Sequence, residues 1–124
     1  MSRPEFTCTV SVQALPDQTD AEAGVWAYAY TVTIANTGDV TAQLIARHWT
    51  ITDATGKLEE VRGLAVVGHQ PLLKPGERFE YTSWTRLATP NGTMRGTYFC
   101  MTEDAYPFEA PIHEFMLGER AALH

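Results

Sequence analysis

The residues of this chain whose types could do chemistry are four histidines, two cysteines, one glycine-bounded loop and a scatter of carboxylates. The loop reads Gly63-Leu64-Ala65-Val66-Val67-Gly68, with Arg62 before it, His69 after it and Lys74 a little further on. Backbone N–H groups in such a loop can form a concavity for an anion. Arg62, His69 and Lys74 would add positive charge beside it. Dinucleotide folds use glycines at this spacing because a strand runs into a helix whose N-terminus meets the pyrophosphate. Here Pro71 and Pro75-Gly76 follow, and the next run reads as a strand. Without the helix, the plainer expectation is a connection between strands, with Gly63 and Gly68 at positive φ and Leu64 and Val66 covering the core edge. Arg62, Gly63, Gly68, His69 and Lys74 stand as the candidate ligand-binding set, for a nucleotide or pyrophosphate.

The other groups do not converge. His48, His69, His113 and His124 show no close metal-ligand spacing, and His113 and Glu114 are strand neighbours whose side chains should diverge. Asp17, Asp20 and Glu22 share a loop, where solvation is the usual role of carboxylates. Cys8 and Cys100 sit in apolar, alternating runs, which predicts buried free thiols rather than nucleophiles. There is no Gly-x-Ser-x-Gly turn and no Gly-Lys-Ser/Thr loop. The expectation is no catalytic residue, no metal ligand and no cofactor.

The elements that must position these residues are strands. Phe6–Leu15 alternates Phe6, Cys8, Val10 and Val12 with Thr7, Thr9, Ser11 and Gln13, the period of a half-buried strand. Val25–Ala35 carries Trp26, Tyr28, Tyr30, Val32 and Ile34 on one face. Ala42–Thr52 follows the turn Asn36-Thr37-Gly38-Asp39, with Ile45, Arg47, Trp49 and Ile51 expected on one side and Leu44, Ala46, His48 and Thr50 on the other. Lys57–Arg62 is short and charged, the habit of a sheet edge. Glu77–Ala88 alternates Phe79, Tyr81, Ser83, Thr85 and Leu87 inward, and Thr93–Thr102 and Phe108–Leu117 are the last strands. No run holds a helical period. Seven to eight short strands with turns between them predict an all-β antiparallel sandwich over residues 1–124. Trp49 and Tyr98 would sit where sandwich folds keep a core tryptophan and a late-strand tyrosine. Trp84 should face away from Phe79 and Tyr81, beside Arg86, as an interface anchor.

Composition narrows the function classes. The 124 residues are 44% hydrophobic and 19% charged, enough for one core without staples. Nine Lys and Arg stand against fifteen Asp and Glu, net −6. That balance argues against binding a phosphate backbone or an anionic membrane. The first six residues are polar and carry Glu5 where a leader would need an apolar stretch. A cytoplasmic protein is expected.

From Val40 onward an ordered set of residues resembles the ApaG family, a domain of unknown function (DUF525). The set runs Arg47-His48-Trp49, Ile51-Thr52-Asp53, Gly56, Glu60-Val61-Arg62-Gly63, Val66-Val67-Gly68 and Gln70-Pro71. It continues through Leu73-Lys74-Pro75-Gly76-Glu77, Phe79-Glu80-Tyr81-Thr82-Ser83, Thr89-Pro90, Gly92-Thr93-Met94, Gly96, Tyr98, Phe108, Pro111-Ile112 and Phe115. The resemblance implies a fibronectin type III or immunoglobulin-like β-sandwich. It also implies an indirect association with cobalt resistance and magnesium efflux, and a role in protein–protein interaction. Two positions depart from the family pattern: Ala65 replaces the middle loop glycine, and Trp84 stands where the family has glycine. The function expected is a non-enzymatic ApaG-type binding module with a protein partner. The alternative is a small-ligand sensor at the glycine loop. Phe6–Val12 carries no charge, so a homo-oligomer or a partner strand is expected to add at that edge.

Overall fold

The computed structural model describes residues 2–118; Met1 and residues 119–124, including His124, lie outside the described residues. Eight strands occupy the alternating runs: β1 Phe6–Ala14, β2 Trp26–Asn36, β3 Ala42–Asp53, β4 Leu58–Leu64, β5 Leu72–Leu73, β6 Arg78–Leu87, β7 Gly92–Thr102 and β8 Pro107–Leu117. The only helical piece among the described residues is a 3₁₀ turn at Pro16–Gln18. Three strands in the order β1-β2-β6 form one sheet, and β4-β3-β7-β8, with β5 beside β3, form the other. Every pairing is antiparallel. This is an antiparallel β-sandwich, as the strand pattern predicts, in the fibronectin type III-like arrangement that the family resemblance implies.

The inner faces meet on Trp49, which is 2% exposed. Its ring takes edge contacts from Tyr30 at 5.4 Å, Phe115 at 6.0 Å and Tyr98 at 6.2 Å. Such edge-to-face geometry puts ring hydrogens on neighbouring π faces. Tyr98, Ile34, Leu44, Met94 and Val32, all buried, complete the core. Tyr98, not its neighbour Phe99, is the core aromatic of β7; Phe99 is exposed on the outer face. The buried hydroxyls of Tyr81 and Tyr98 hydrogen-bond each other across the two sheets. Burial pushes both phenols above the usual tyrosine range. Asn36 closes the turn after β2: its side-chain amide donates to Val40 O and Leu73 O, both at 2.9 Å, and its Oδ1 accepts from Gly38 N–H.

Two register shifts correct the alternation. Between Leu44 and Ala46 the β3–β7 pairing slips by one residue. The extra residue changes the parity of the strand. Leu44 and Trp49 therefore both reach the core, although strict alternation places them on opposite faces. A second shift, between Met94 and Gly96 in the β7–β8 pairing, leaves both His113 and Glu114 exposed instead of diverging.

Candidate functional site

The glycine loop is a tight hairpin tied to β3. Gly63 ends inside β4 and is not at positive φ, contrary to expectation. A Cβ on Gly63 would lie 2.9 Å from a guanidinium nitrogen of Arg47. That guanidinium, held under the loop, donates to Leu64 O at 2.8 Å and Ala65 O at 2.9 Å. The left-handed positions are Ala65 (φ 67), Val67 (φ 48) and Gly68 (φ 79). Val66 and His69 exchange backbone hydrogen bonds of 2.8 and 2.9 Å around Val67-Gly68. Ala65 N–H donates to Ile45 O at 2.8 Å. The amides of Ala65, Val66 and His69 are thus used inside the fold. Val66 is fully buried as expected, but Leu64 is 72% exposed and does not cover the core edge.

The five loop-associated residues face different surroundings. Arg62 lies on the outer face of the five-stranded sheet, 3.5 Å from Glu60. Arg62 and Gly63 border a shallow groove of about 500 Å³ with His48, Leu64 and Phe99. Gly68 is at the hairpin tip. The His69 ring packs on Phe79 of the opposite sheet, centroids 5.6 Å apart. Lys74 sits at the Pro75-Gly76 turn, where its N–H donates to Glu77 Oε1 at 2.8 Å.

Ala46 and Gly63 are the two smallest residues lining this groove. His48 Nε2 lies 2.9 Å from Glu60 Oε1. That hydrogen bond, with the Arg62 charge beside it, holds the Glu60 carboxyl below its ordinary pKa. Sequence reasoning missed this face. Its signal was the register of four strands, which no single strand reveals.

On the opposite side of the molecule the three-stranded sheet presents Trp84. It is 53% exposed, and the Arg86 guanidinium lies 4.9 Å from its ring centre. Its β2 partner in the ladder is Ala29, and that of Arg86 is Ala27. Two alanines leave the indole standing above the sheet. The rest of the face is hydroxyl-rich: Thr31 and Thr82 hydroxyls pair at 2.8 Å, and Thr33 donates to Glu80 at 2.9 Å. The β1 strand is an edge of this sheet, as expected, with Thr7, Thr9, Ser11 and Gln13 exposed along it.

Cys8 and Cys100 are free, half-buried and buried respectively. Burial pushes each thiol up to about 12, far from nucleophile range. Among the described residues no three His, Cys, Asp or Glu side chains converge as a metal site. Among them, too, no helix is long and apolar enough to cross a membrane.

The model of the ApaG domain (DUF525) matches residues 16–102. A protein from Ralstonia nicotianae called Protein ApaG is 57% identical over 124 residues, covering all of both chains. Another Protein ApaG, from Acidovorax sp., is 58% identical and covers 94% of this chain and 87% of its own. The crystal structure of a protein from Bordetella pertussis titled putative ApaA superposes with a TM-score of 0.91 at 53% identity, covering 94% of this chain and 95% of that one.

Proposed function

The chain belongs to the ApaG-domain family, and from that premise we propose that it is a non-enzymatic binding module whose partner is a protein. The observation that carries the reading is Trp84, a half-exposed indole ordered by Arg86 over a shelf of alanines. Tryptophan and arginine are enriched among the few residues that carry most of the binding energy at protein interfaces. A surface tryptophan held in one orientation pays little ordering entropy on binding. The uncharged β1 edge lies two strands away on the same sheet and offers unpaired backbone groups to an extended segment. The module acts in the cytoplasm. Its link to cobalt resistance and magnesium efflux runs through the partner rather than through a metal held by this chain.

The test is capture of partners from the native extract on immobilised protein, parent against Trp84→Ala/Arg86→Ala. The same partner retained equally by both would refute the reading. Titration calorimetry with pyrophosphate, a nucleotide, Mg²⁺ and Co²⁺ runs alongside. Heat with pyrophosphate that disappears in Arg62→Ala/Lys74→Ala would replace the module by a small-ligand sensor at the glycine loop.

A further inference from the structure

The outer face of the five-stranded sheet carries a pattern that the Trp84 reading does not use. Four strands align Leu64, Ala46, Phe99 and Glu109 in one row. The next row is Arg62, His48, Thr97 and Pro111. Leu64 is 72% exposed and Phe99 39% exposed, and neither has a covering element among the described residues. Between them Ala46 forms the low floor of the groove. A large side chain thus stands directly beside a small one on the neighbouring strand.

We propose that this face is the contact between two copies of the chain, related by a two-fold axis that runs along the strands between β3 and β7. Such an axis is isologous, so each contact occurs twice. It lays Phe99 of one copy over the partner's Ala46, and the reverse. It also carries the β4 side of one copy over the β8 side of the other. Arg62 then approaches the partner's Glu109, one row away and within reach of two long side chains. In the monomer Arg62 lies 3.5 Å from Glu60, which also bonds His48, so the partner's Glu109 shares the guanidinium with Glu60. Face-to-face sheets pack about 10 Å apart with interdigitating side chains, which a knob over a hole satisfies and two facing knobs would not.

The size of the patch sets the strength. Four strands by five residues span about 19 by 17 Å. That footprint is about 650 Å² over both copies, well below the standard size of a stable interface, so only a weak, transient dimer is expected. The arrangement stacks four sheets and leaves both three-stranded sheets outside. Two Trp84 anchors then face away from each other, and one dimer can hold two partner segments. The dimer stands independently of what Trp84 binds.

Sedimentation equilibrium of the parent, from micromolar to millimolar concentration, reads the association. The expected result is a reversible monomer–dimer equilibrium. Phe99→Glu and, separately, Ala46→Glu should each weaken it at least about tenfold, since each places a carboxylate against the partner's Ala46 or the partner's Phe99 at the centre of the contact. Both positions point outward, and circular dichroism confirms folding. Arg62→Glu should weaken association, and adding Glu109→Arg should restore it. Thr9→Lys with Ser11→Pro, which blocks the β1 edge, should leave it unchanged. A parent that stays monomeric throughout, association that survives both Phe99→Glu and Ala46→Glu, or association abolished by the β1 edge variant would each overturn the proposal.

Discussion

The hairpin at Val66–His69 holds a conformation its own residues resist, and relieving it should stabilise the protein. Val67 and Gly68 are its two central residues, at φ 48 and φ 79. Positive φ at both is the sense of a type I′ turn, which matches strand twist and favours Asn-Gly. Valine there brings a branched Cβ against a carbonyl oxygen, at about 1–2 kcal/mol. It recovers little by burial, because Val67 is 57% exposed. Full burial of a valine is worth roughly 1.5 kcal/mol, so the buried fraction contributes about 0.6 kcal/mol. Val67→Asn should therefore stabilise by about 1 kcal/mol and raise Tm by about 3–5 °C in a chain of this length. Urea denaturation should show the midpoint shifted and the slope unchanged, as expected when only the native turn is altered. Leu64→Asn is the control: Leu64 is more exposed, but it lies in β4 at an ordinary φ, so the same polar side chain should bring no gain. Gly68→Ala should go the other way by about 1 kcal/mol. A Val67→Asn midpoint at or below that of the parent, or an equal rise in Leu64→Asn, would refute the strain argument.

Trp49→Ala should cost about 3–5 kcal/mol, because three aromatic rings close on an indole that is 2% exposed; a thermal melt without loss would remove Trp49 from the centre of the sandwich. Gly96→Ala puts a Cβ 2.6 Å from His48 O and 2.8 Å from Trp49 Cε3. Neither backbone nor core indole can yield cheaply, so a loss of about 1–3 kcal/mol is expected in denaturant titration, and a neutral result would mean that the β3–β7 register is looser than described. Alkaline pH should destabilise the fold: burial raises Cys8 and Cys100 from 9.0 to about 12, so their stabilising effect is complete below pH 9.0 and is lost as pH rises toward about 12. Stability that stays level across that window would contradict the burial of the thiols. In denaturant both cysteines should react with a thiol reagent without prior reduction, since they are free in the fold.

The strands were legible because each is long enough for period-two alternation and ends in turn residues. Gly56 and Gly76, at φ 88 in both cases, do in the structure what their turn sequences require. The misplacements have one physical origin: alternation describes a single strand, whereas faces are set by pairing. Nothing local to Ala42-Gln43-Leu44-Ile45 announces the bulge that returns Leu44 to the core. Gly63 failed for a related reason. Its missing side chain serves the guanidinium of Arg47, which is 16 positions away along the chain but adjacent in the β3–β4 ladder. The loop, expected to be a connection between strands with an anion site as the alternative, has the Leu64 and Ala65 carbonyls bonded by an internal arginine, the Ala65 amide bonded to Ile45, and the Val66 and His69 amides bonded to each other's carbonyls.

Trp84 was legible from parity alone, because an aromatic out of phase with Phe79 and Tyr81 must face away from the core. The Ala46–Phe99 row was not, since its two members lie on different strands and each is unremarkable in its own. What separates the two cases is where the information resides. An anchor on one strand is written into that strand's alternation. A knob beside a hole exists only after β3 and β7 have paired, and the bulge at Leu44/Ala46 decides the pairing. Moving that bulge by one residue would bring a different β3 side chain opposite Phe99 and break the large-beside-small pattern. The bulge therefore serves two ends at once: it buries Leu44 within the monomer, and it sets the relief of the surface on which a second copy would dock.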